Sequence, residues 1–560
     1  MSLAQNPKMK NTRSQINILS LFLDGWRPYA WLAAAGFALY AQTLFFGLSG
    51  YDDTLLITKH YYLIKDITKV PAAFLNDVAW GQSQQFYRPV LTLSFMFNAI
   101  LAGKDVWFYH LTNVMMHLGS VLLVFWLLKK LTGGRGSAFV LALLFAVHPA
   151  LAPAAAWLPG RNDPLLGLFI FGSLAALVRY REKETLGWYA LHLFLFLGAL
   201  LTKETSAAIP AVFIVFLWLV YGRQKAKPYI YMAAGWLACL AGYFSLRLSV
   251  LSRVPPVMNT ASENALGLLG YIGKLIFPAN LSVMPLPQDT YWFFGTAALV
   301  LFIALFALKG IRSRRIFLAG LVWFAVFLVP TIFRITDFAN MLEHRLYVPF
   351  LGLLLMVSQA EAIYSYKKTF LSLTAGLFIV FSLFSVRHSR DFKDPWSFWQ
   401  NAVKTSPHCS LAHRSLGMMY LNQKDQAGAA AQFQAGLRYD PQNPGLLNGL
   451  ALAYVDMGKI QPAIQLFQEA IQIEPGNPFS HDNLGTAWIK AGNTAEAGRE
   501  YRQAFLLKPD DPMIMLNCSY AHYLLKDIDS AGYYYELALR NGLARDTGIE
   551  GRLKVAGGVK

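Results

Sequence analysis

Charged residues and cysteines are scarce in this chain. Asp, Glu, Lys and Arg make up 14% of its 560 residues, whereas a typical soluble domain contains about 25%. The three cysteines, Cys239, Cys409 and Cys518, lie far apart in the sequence, so they indicate neither a disulfide framework nor a metal-ligand spacing. Because 55% of the residues are hydrophobic, the composition is not that of an ordinary soluble enzyme and predicts a polytopic membrane protein.

The excess of basic residues belongs to the apolar part of the chain. Of the 49 Lys and Arg and the 32 Asp and Glu, 17 of each fall within residues 390–560, so 32 basic and 15 acidic residues fall within 1–389. Nucleic-acid binding would require a basic face on a soluble domain. The distribution instead indicates basic cytoplasmic loops between membrane spans, and no nucleic-acid partner is predicted.

Apolar runs of roughly 20 residues, the length needed to cross a bilayer, recur along the first 389 residues. We predict about eleven spans, at 28–48, 107–128, 137–157, 164–180, 186–201, 205–221, 228–249, 292–308, 316–333, 346–364 and 369–386. Two shorter apolar stretches, 89–102 and 264–277, are predicted to be interfacial helices that do not cross. The first run lacks a cleavage signature and is interpreted as a retained span.

The basic residues support this topology. If the N-terminus is cytoplasmic and the two short stretches do not cross, every short cytoplasmic loop is basic, as the positive-inside rule expects. The residues concerned are Lys8, Lys10, Arg13, Lys129, Lys130, Arg135, Arg179, Arg181, Lys183, Arg223, Lys225, Lys227, Lys309, Arg312, Arg314, Arg315, Lys367 and Lys368. The chain beyond residue 387 is then predicted to be extracytoplasmic.

The C-terminal part repeats with a period of 34 residues. The recurring positions are Ala429, Ala463, Ala497 and Ala531; Phe433, Phe467, Tyr501 and Tyr535; and Pro441, Pro475 and Pro509. This period, with small residues where helices approach and an aromatic residue between them, is typical of tetratricopeptide repeats. We predict an all-α chain with a membrane domain at 1–389 and an α-solenoid at 390–560 that contains a half-repeat and about four repeats. Its concave face is predicted to bind a peptide, although a spacer or dimerisation surface is equally compatible with the pattern.

In this topology a set of ionisable residues lies at the outer ends of the spans. The acids Asp52 and Asp53 follow the first span, and the other members are Arg88, Arg161, Asp163, Lys203, Glu204, Glu343 and Arg345. Taken alone, the acidic pair is better explained as the N-cap of an interfacial helix than as a catalytic pair. As a set, the cations suit an anionic lipid phosphate and a carboxylate suits deprotonation of a hydroxyl.

These residues have the minimal composition for sugar transfer from a polyprenyl phosphate. The phosphate is already a good leaving group, so one carboxylate base suffices, in contrast to the pair of carboxyl groups used in glycoside hydrolysis. Cations would stabilise the charge that builds on the departing phosphate. A single displacement of this kind would invert the anomeric centre.

The order of the motifs resembles a known family. Before the repeats the chain contains, in order, YDD, YRPV, FYHLTNVMMH, HPALAPAAAWLPGRNDP, TKET, LIFPANLS and EHRLYVP. This series is similar to that of the transmembrane and tetratricopeptide-repeat O-mannosyltransferases of the GT-C superfamily of lipid-linked sugar transferases. The resemblance implies that Asp52 is the catalytic base and Asp53 its companion. It also implies that Arg161 and Asp163 form the second outer-loop motif, and that Arg88 and Arg345 contact the lipid phosphate or sugar.

The resemblance leaves several alternatives open. The enzyme would transfer mannose or another hexose to a protein Ser or Thr, in the bacterial inner membrane or, in a eukaryote, the endoplasmic reticulum. The acceptor could instead be a glycolipid or polysaccharide, or the protein could be a non-enzymatic membrane-anchored scaffold. A transporter is disfavoured because the acids lie at span ends and no internal repeat of the membrane part is evident. Some GT-C enzymes hold a divalent metal with acids of the outer loops, and Asp52, Asp163 and Glu343 could in principle ligate one here. No spacing in the sequence decides this, and we favour an enzyme without a metal.

Overall fold

The computed structural model describes residues 23–81, 86–222, 226–251, 261–331, 342–545 and 550–553. The chain divides into two compact units, Met1–Phe398 and Trp399–Lys560. Within the described residues both units are built from helices and contain no β-strand, so the predicted all-α class is confirmed. The predicted basic residues Lys8, Lys10, Arg13, Arg223 and Lys225 lie outside the described residues, as does the side chain of Lys227.

Helices occupy every predicted apolar run of the first unit. They are α1 (Arg27–Tyr40), α2 (Pro89–Ala102), α3 (Val106–Thr132), α4 (Arg135–Val147), α5 (Asn162–Lys183), α6 (Leu186–Leu200), α7 (Ile209–Tyr221), α8 (Ala226–Val250), α9 (Ala261–Lys274), α10 (Trp292–Ala307), α11 (Arg314–Leu328), α12 (Tyr347–Val357) and α13 (Lys367–Ser389). Short helical segments lie between them at Ala41–Phe45, Thr54–Thr58, Tyr61–Ile64, Ile67–Lys69, Val70–Ala73, Pro149–Leu151, Ala152–Ala156, Pro159–Arg161, Glu204–Ala208, Pro287–Asp289, Val329–Thr331, Glu343–Leu346, Glu361–Ser365 and Arg390–Phe392.

Several of these helices can cross a membrane by length and composition. Among the described residues five qualify, at Val106–Thr132, Pro159–Lys183, Glu204–Tyr221, Ile230–Val250 and Lys367–Phe392, and a bent pair would make six. The helices at 89–102, 186–200 and 292–307 are apolar but shorter. The first unit is therefore a bundle with several candidate spans, and the figure of about eleven stays a prediction.

Two of the predicted runs are not continuous helices. In the run 137–157, α4 ends at Val147, and the helical stretch that begins at Pro149 is bent by 54° from it. Pro149 has no N–H to donate to the preceding turn and restricts His148 to an extended conformation, so the break is expected from the His-Pro pair. In the run 346–364, α12 ends at Val357 and a separate short helix follows at Glu361–Ser365.

Close backbone contact positions α12 and the segment before it. Gly320 of α11 and Gly352 of α12 face each other so closely that a Cβ on either would collide with the carbonyl oxygen of the other. Glycine removes this obstacle and lets the two backbones touch, as small residues do between membrane helices. At the start of α12, the hydroxyl of the buried Tyr347 lies 2.8 Å from His117 Nδ1 of α3. These contacts hold Glu343–Leu346 against the centre of the bundle.

The second unit confirms the 34-residue repeat. After a preceding helix, α14 (Pro395–Thr405), the first helices of the repeats are α15 (Ser410–Asn422), α17 (Pro444–Asp456), α19 (Pro478–Lys490) and α21 (Pro512–Leu524), and the second helices are α16 (Gln426–Tyr439), α18 (Ile460–Ile473), α20 (Thr494–Leu507) and α22 (Ile528–Arg540). The predicted aromatic and alanine positions are all buried. Asn443, Asn477 and Asp511, each 34 residues apart, cap the first helices that follow them.

Candidate functional site

The acidic pair after α1 is divided between the interior and the surface. Asp53 is 1% exposed and accepts hydrogen bonds from Ser49 Oγ (2.9 Å) and from the backbone N–H groups of Ser49 and Tyr51 (3.0 Å for Tyr51). Burial raises the pKa of Asp53, and these hydrogen bonds oppose the increase. Asp52 is only partly buried. Asp53 therefore stabilises the loop, and Asp52 is the more exposed residue of the pair.

Trp157 anchors this loop to the rest of the unit. Its indole Nε1 donates to Ser49 Oγ (3.1 Å), and its ring stacks on Tyr51 with centroids 6.5 Å apart. The centroid of the Trp157 ring also lies 5.7 Å from that of the His344 imidazole. The Asp52 loop and the Glu343–Leu346 segment thus meet at one buried aromatic side chain.

A cavity of about 220 Å³ brings together four of the predicted site residues. Its charged walls are Asp163, Lys203, Glu204 and Arg345. The remaining described walls are almost entirely apolar and comprise Leu166, Thr205, Phe327, Pro330, Val348 and Pro349. The cavity therefore places two cations and two carboxylates among mostly apolar side chains, where charge interactions are stronger than in bulk water.

Asp163 and Lys203 form a buried ion pair in this cavity. Lys203 Nζ donates to Asp163 Oδ1 at 2.7 Å, and both side chains are less than 10% exposed. Asp163 lies in the first turn of α5, where the helix dipole stabilises a carboxylate. Lys203 occupies an extended position between α6 and the Glu204–Ala208 turn, which directs its side chain across to α5.

Glu204 joins the cavity to the start of α2. Arg88 donates to both carboxylate oxygens of Glu204, at 2.7–3.1 Å, and its guanidinium lies 4.3 Å from the centre of the Phe86 ring. The backbone N–H of Val90 also donates to Leu201 O (3.1 Å). A side-chain ion pair and a backbone hydrogen bond therefore join the two segments. Arg88 therefore does not line the cavity itself, and it contacts the cavity wall through its ion pair with Glu204.

The Glu343–Leu346 segment contributes three ionisable residues. Glu343 accepts from Lys274 Nζ (2.5 Å) and from the backbone N–H of Ser282 (3.1 Å). His344 Nε2 lies 3.7 Å from Asp163 Oδ2, and Arg345 reaches the cavity wall. Burial lowers the pKa of His344 to about 4, so its imidazole is neutral near pH 7.

Arg161 lies inside the protein rather than in the cavity wall. It has no exposed surface, and its guanidinium donates to the amide oxygens of Asn113 (2.7 Å) and Asn98 (2.5 Å) and to the carbonyls of Ser94 (3.0 Å) and Tyr109 (2.9 Å). These contacts join α2 and α3 to the Pro159–Arg161 turn. Its role in donor binding stays a prediction, and the contacts favour a positioning role instead.

The structure connects most of the predicted set and adds residues that sequence reasoning missed. Arg88 and Glu343 reach the cavity through ion pairs or neighbouring residues, and the Asp52 loop reaches it through Trp157 and His344. The missed residues are Trp157, Lys274 and His344. Lys274 could have been identified from the sequence, because it is the one charged residue in the apolar stretch 264–277. His344 was overlooked between two charged neighbours.

No metal centre is evident in the part of the chain that the structure describes. No group of three or more His, Cys, Asp or Glu side chains there is arranged to hold an ion. Independence from a divalent metal stays a prediction.

Comparison with known proteins supports the interpretation of both units. Models of the tetratricopeptide repeat match residues 420–482 and 483–543. Protein O-mannosyl-transferase TMTC2 of Mus musculus is 30% identical over 46% of this chain and 33% of its own length. The Homo sapiens TMTC2 protein is 34% identical over 35% of this chain and 24% of its own, and the Homo sapiens TMTC3 protein is 24% identical over 76% and 53%.

The chain spans about a quarter to a half of the length of these relatives. Among solved structures, the crystal structure of MamA matches 28% of this chain and 91% of its own at 20% identity, with a TM-score of 0.25 that is too low to carry an argument. The resemblance predicted from the motifs is confirmed: this chain, with membrane helices followed by tetratricopeptide repeats, is a homologue of the proteins named protein O-mannosyl-transferases.

Proposed function

We propose that this protein is an integral-membrane glycosyltransferase of the GT-C type. It would transfer a hexose, mannose by analogy with its named relatives, from a polyprenyl-phosphate donor to a Ser or Thr hydroxyl of an extracytoplasmic protein. The observation that carries the proposal is the cavity in which Lys203 and Arg345 lie beside Asp163 and Glu204 within an apolar helical unit. A phosphate-linked sugar presents both the anion and the hydroxyl groups that such walls recognise.

The cavity would bind the donor headgroup. Lys203 and Arg345 would donate to the phosphate and stabilise the charge that builds on it as the sugar leaves. Asp163 and Glu204 would accept hydrogen bonds from sugar hydroxyls. The apolar walls, including Phe327 and Pro349, would exclude water and so favour transfer to the acceptor over hydrolysis.

Asp52 would act as the general base. Its carboxylate takes the proton of the acceptor hydroxyl, whose oxygen attacks the anomeric carbon while the bond from that carbon to the phosphate oxygen breaks. The electron pair of the broken bond stays on the polyprenyl phosphate. Because attack and departure occur on opposite faces in one step, the product has the inverted configuration. The buried Asp53 would hold the loop in place.

The repeat unit would bind the protein acceptor. Polar side chains join neighbouring first helices: Asn448 donates to Ser480 Oγ (2.7 Å) and Asn517 donates to Asp482 Oδ1 (2.8 Å). A face that carries amides and carboxylates along successive repeats suits an extended peptide, and repeat arrays commonly present such extended binding surfaces. We infer that the repeats and the catalytic loop lie on the extracytoplasmic side and the N-terminus in the cytoplasm, in a bacterial inner membrane or an endoplasmic reticulum.

The assignment of Asp52 is tested with a labelled polyprenyl-phosphate sugar and the full-length protein in nanodiscs. Asp52→Asn is expected to reduce the rate of sugar transfer by a factor of about 10² or more, while the protein still inserts and folds. Asp66→Asn is the matched control, because Asp66 is a partly buried acid of the same outer loop that only accepts from Thr68. Full activity of Asp52→Asn would show that the base lies elsewhere.

A further inference from the structure

A second cavity, of about 400 Å³, lies among α4 and α9–α13 and has no part in the proposed transfer step. Its described walls are hydrocarbon apart from His148 and Thr374. The polar groups of both are already paired: the His148 ring nitrogens lie within 3.3 Å of Leu275 O and Ala150 N, and Thr374 Oγ1 donates to Phe370 O (2.8 Å). The described walls therefore suit an apolar chain rather than a polar ligand.

This cavity is distinct from the one proposed to hold the donor phosphate. The two share no described lining residue, although α11 and α12 contribute to both. The donor cavity lies at the end of α12 that begins with Val348, whereas the second cavity extends along α12 to Val357, in its last turn. At the level of Gly320 and Gly352 the backbones of α11 and α12 touch, which leaves no gap between these two helices.

The second cavity opens toward the outside of the helical bundle. Leu299 of α10, Leu321 of α11 and Leu377 of α13 line it and are nevertheless 36–42% exposed. Along α13 its wall runs from Phe370 to Phe381, which corresponds to about 16 Å of helix. A bilayer has a hydrocarbon layer ~30 Å thick, so the wall has the depth of one leaflet. One acyl chain of a membrane lipid has this reach and can enter from the side.

Basic residues are concentrated at one end of this cavity. Lys309 follows the lining residue Leu305 by about one helical turn, and Lys367 and Lys368 immediately precede the turn of α13 that carries the lining residue Phe370. Arg314 and Arg315 begin α11, and Arg312 lies just before them. All six cations are exposed: Lys309, Arg312, Arg314, Arg315, Lys367 and Lys368.

The two loops that carry these cations are joined to each other. The backbone N–H of Arg312 donates to Gln359 O (2.9 Å), and the N–H of Glu361 donates to Gly310 O (3.1 Å). Within 308–315 and 358–369 Glu361 is the single acid, and it pairs with Arg312 at 3.5 Å. The end of the cavity therefore carries a strong excess of positive charge, which suits an anion at the membrane surface.

We propose that this cavity binds an anionic phospholipid, with one acyl chain between α10 and α13 and the phosphate beside the basic residues at its end. Basic pockets between membrane helices on the cytoplasmic side recognise anionic head groups. In the orientation inferred above, the lipid belongs to the cytoplasmic leaflet. A zwitterionic lipid offers the same chain but adds a cation that the basic residues repel. The site goes beyond the proposed transfer, because neither the donor nor the acceptor occupies it.

Lipid titrations followed by native mass spectrometry test the proposal. Dioleoyl phosphatidylglycerol and dioleoyl phosphatidylcholine, which have identical chains, are added to the delipidated full-length protein in detergent. We expect the first molecule of the anionic lipid to bind about tenfold or more tightly than the first molecule of the zwitterionic lipid.

A head-group variant assigns the charge preference to the basic end. Lys367→Gln with Lys368→Gln is expected to weaken binding of phosphatidylglycerol about tenfold and to leave that of phosphatidylcholine unchanged. Lys129→Gln with Lys130→Gln is the matched control, because it removes two neighbouring lysines at the end of α3, which does not line the cavity. Equal losses in the two double variants would overturn the location of the head group.

A cavity variant assigns the chain. Leu353→Trp places a larger side chain in the wall and is expected to weaken binding of the first phosphatidylglycerol molecule tenfold or more. Leu383→Trp, at a residue of α13 that is 66% exposed and outside the cavity, is the matched control and should bind normally. If Leu353→Trp does not fold, the lysine variants and the comparison of the two lipids still decide.

Each remaining outcome counts against the proposal. Equal affinity for the two lipids, or normal phosphatidylglycerol binding by folded Leu353→Trp, overturns it. Displacement of phosphatidylglycerol by one equivalent of a polyprenyl phosphate would show that the cavity holds the donor chain instead. Loss of sugar transfer in the Asp52 variant has no bearing on these titrations, so the lipid site and the proposed function can fail separately.

Discussion

The two units of this protein differ in the distance over which their buried contacts act. In the repeat unit the buried aromatic residues recur every 34 residues, and the polar contacts on the first helices join neighbouring repeats. In the membrane unit the ion pairs Arg88–Glu204, Asp163–Lys203 and Lys274–Glu343 join residues 116, 40 and 69 positions apart. The repeat unit is therefore stabilised by contacts between neighbouring repeats, whereas the candidate site forms only when distant helices of the bundle pack together.

The largest effect is expected from breaking a long-range pair in the membrane unit. Lys203→Met leaves the buried Asp163 without its cation, which should cost about 3–5 kcal/mol of stability and abolish transfer. The double variant Lys203→Met, Asp163→Leu should recover most of the stability and none of the activity. Thermal unfolding in nanodiscs, with a transfer assay, measures both. A single variant as stable as the unaltered protein would mean that the pair is not buried as described.

A smaller and more local effect is expected in the repeat unit. Phe467→Leu removes ring volume from the buried contact between the helices of one repeat, at a cost of about 1–3 kcal/mol. Because each repeat contacts only its neighbours, the melting of the repeat unit should move to lower temperature while the membrane unit still binds a labelled polyprenyl-phosphate sugar. Tyr533→Ala, an exposed aromatic residue of α22, is the control. Loss of ligand binding would contradict the expectation that the effect of this substitution stays local.

A weaker effect on stability is expected at the edge of the cavity. Glu204 is about one-third exposed whereas its partner Arg88 is buried, so Glu204→Gln, which removes the charge but keeps a hydrogen-bond acceptor, should cost about 1–2 kcal/mol of stability. Its effect should fall on donor affinity, measured as KM with kcat less affected. Glu182→Gln, which removes the carboxylate of exposed ion pairs with Lys130 and Arg179 away from the cavity, is the control and should have little effect on either quantity. A loss of stability as large as that of Lys203→Met would contradict the expected order of these two effects.

A further effect is expected from a change of pH, and it concerns the repeat unit. Burial raises the pKa of Asp482 to about 6, above its value in the unfolded chain. Protonated Asp482 therefore makes its full contribution to the free energy of unfolding below about pH 4. This contribution is lost as the pH rises through about 6, because the buried carboxyl group must then ionise. The stability of Asp482→Asn relative to the unaltered protein should increase between pH 4 and 7 and then level off. Chemical unfolding at several pH values measures it, and a difference independent of pH would contradict the shift.

Much of the architecture could be predicted without coordinates. The helices, the 34-residue repeat and the residues that close each repeat follow from local patterns. The break at His148-Pro149 was not predicted, since 137–157 was assigned as one span, although the proline was a local signal for it. The site was predicted as a set of residue types at span ends, and four members of that set do line one cavity. The prediction did not separate Asp52 from Asp53 or identify His344, because burial of one carboxylate and the neighbours of an imidazole depend on the fold.

Apolar periodicity and helix length act within a few turns of chain, so the amino-acid sequence alone determined the helical class, the position of the helices and the repeat unit. Only the tertiary structure decided which charges meet. Arg161 and Lys203 are both cations at the ends of apolar runs, yet one is enclosed by amides and carbonyls and the other pairs with Asp163 in a cavity. Which partner each cation finds depends on how the helices pack, including the contact of Gly320 with Gly352. It therefore cannot be predicted from any local sequence pattern.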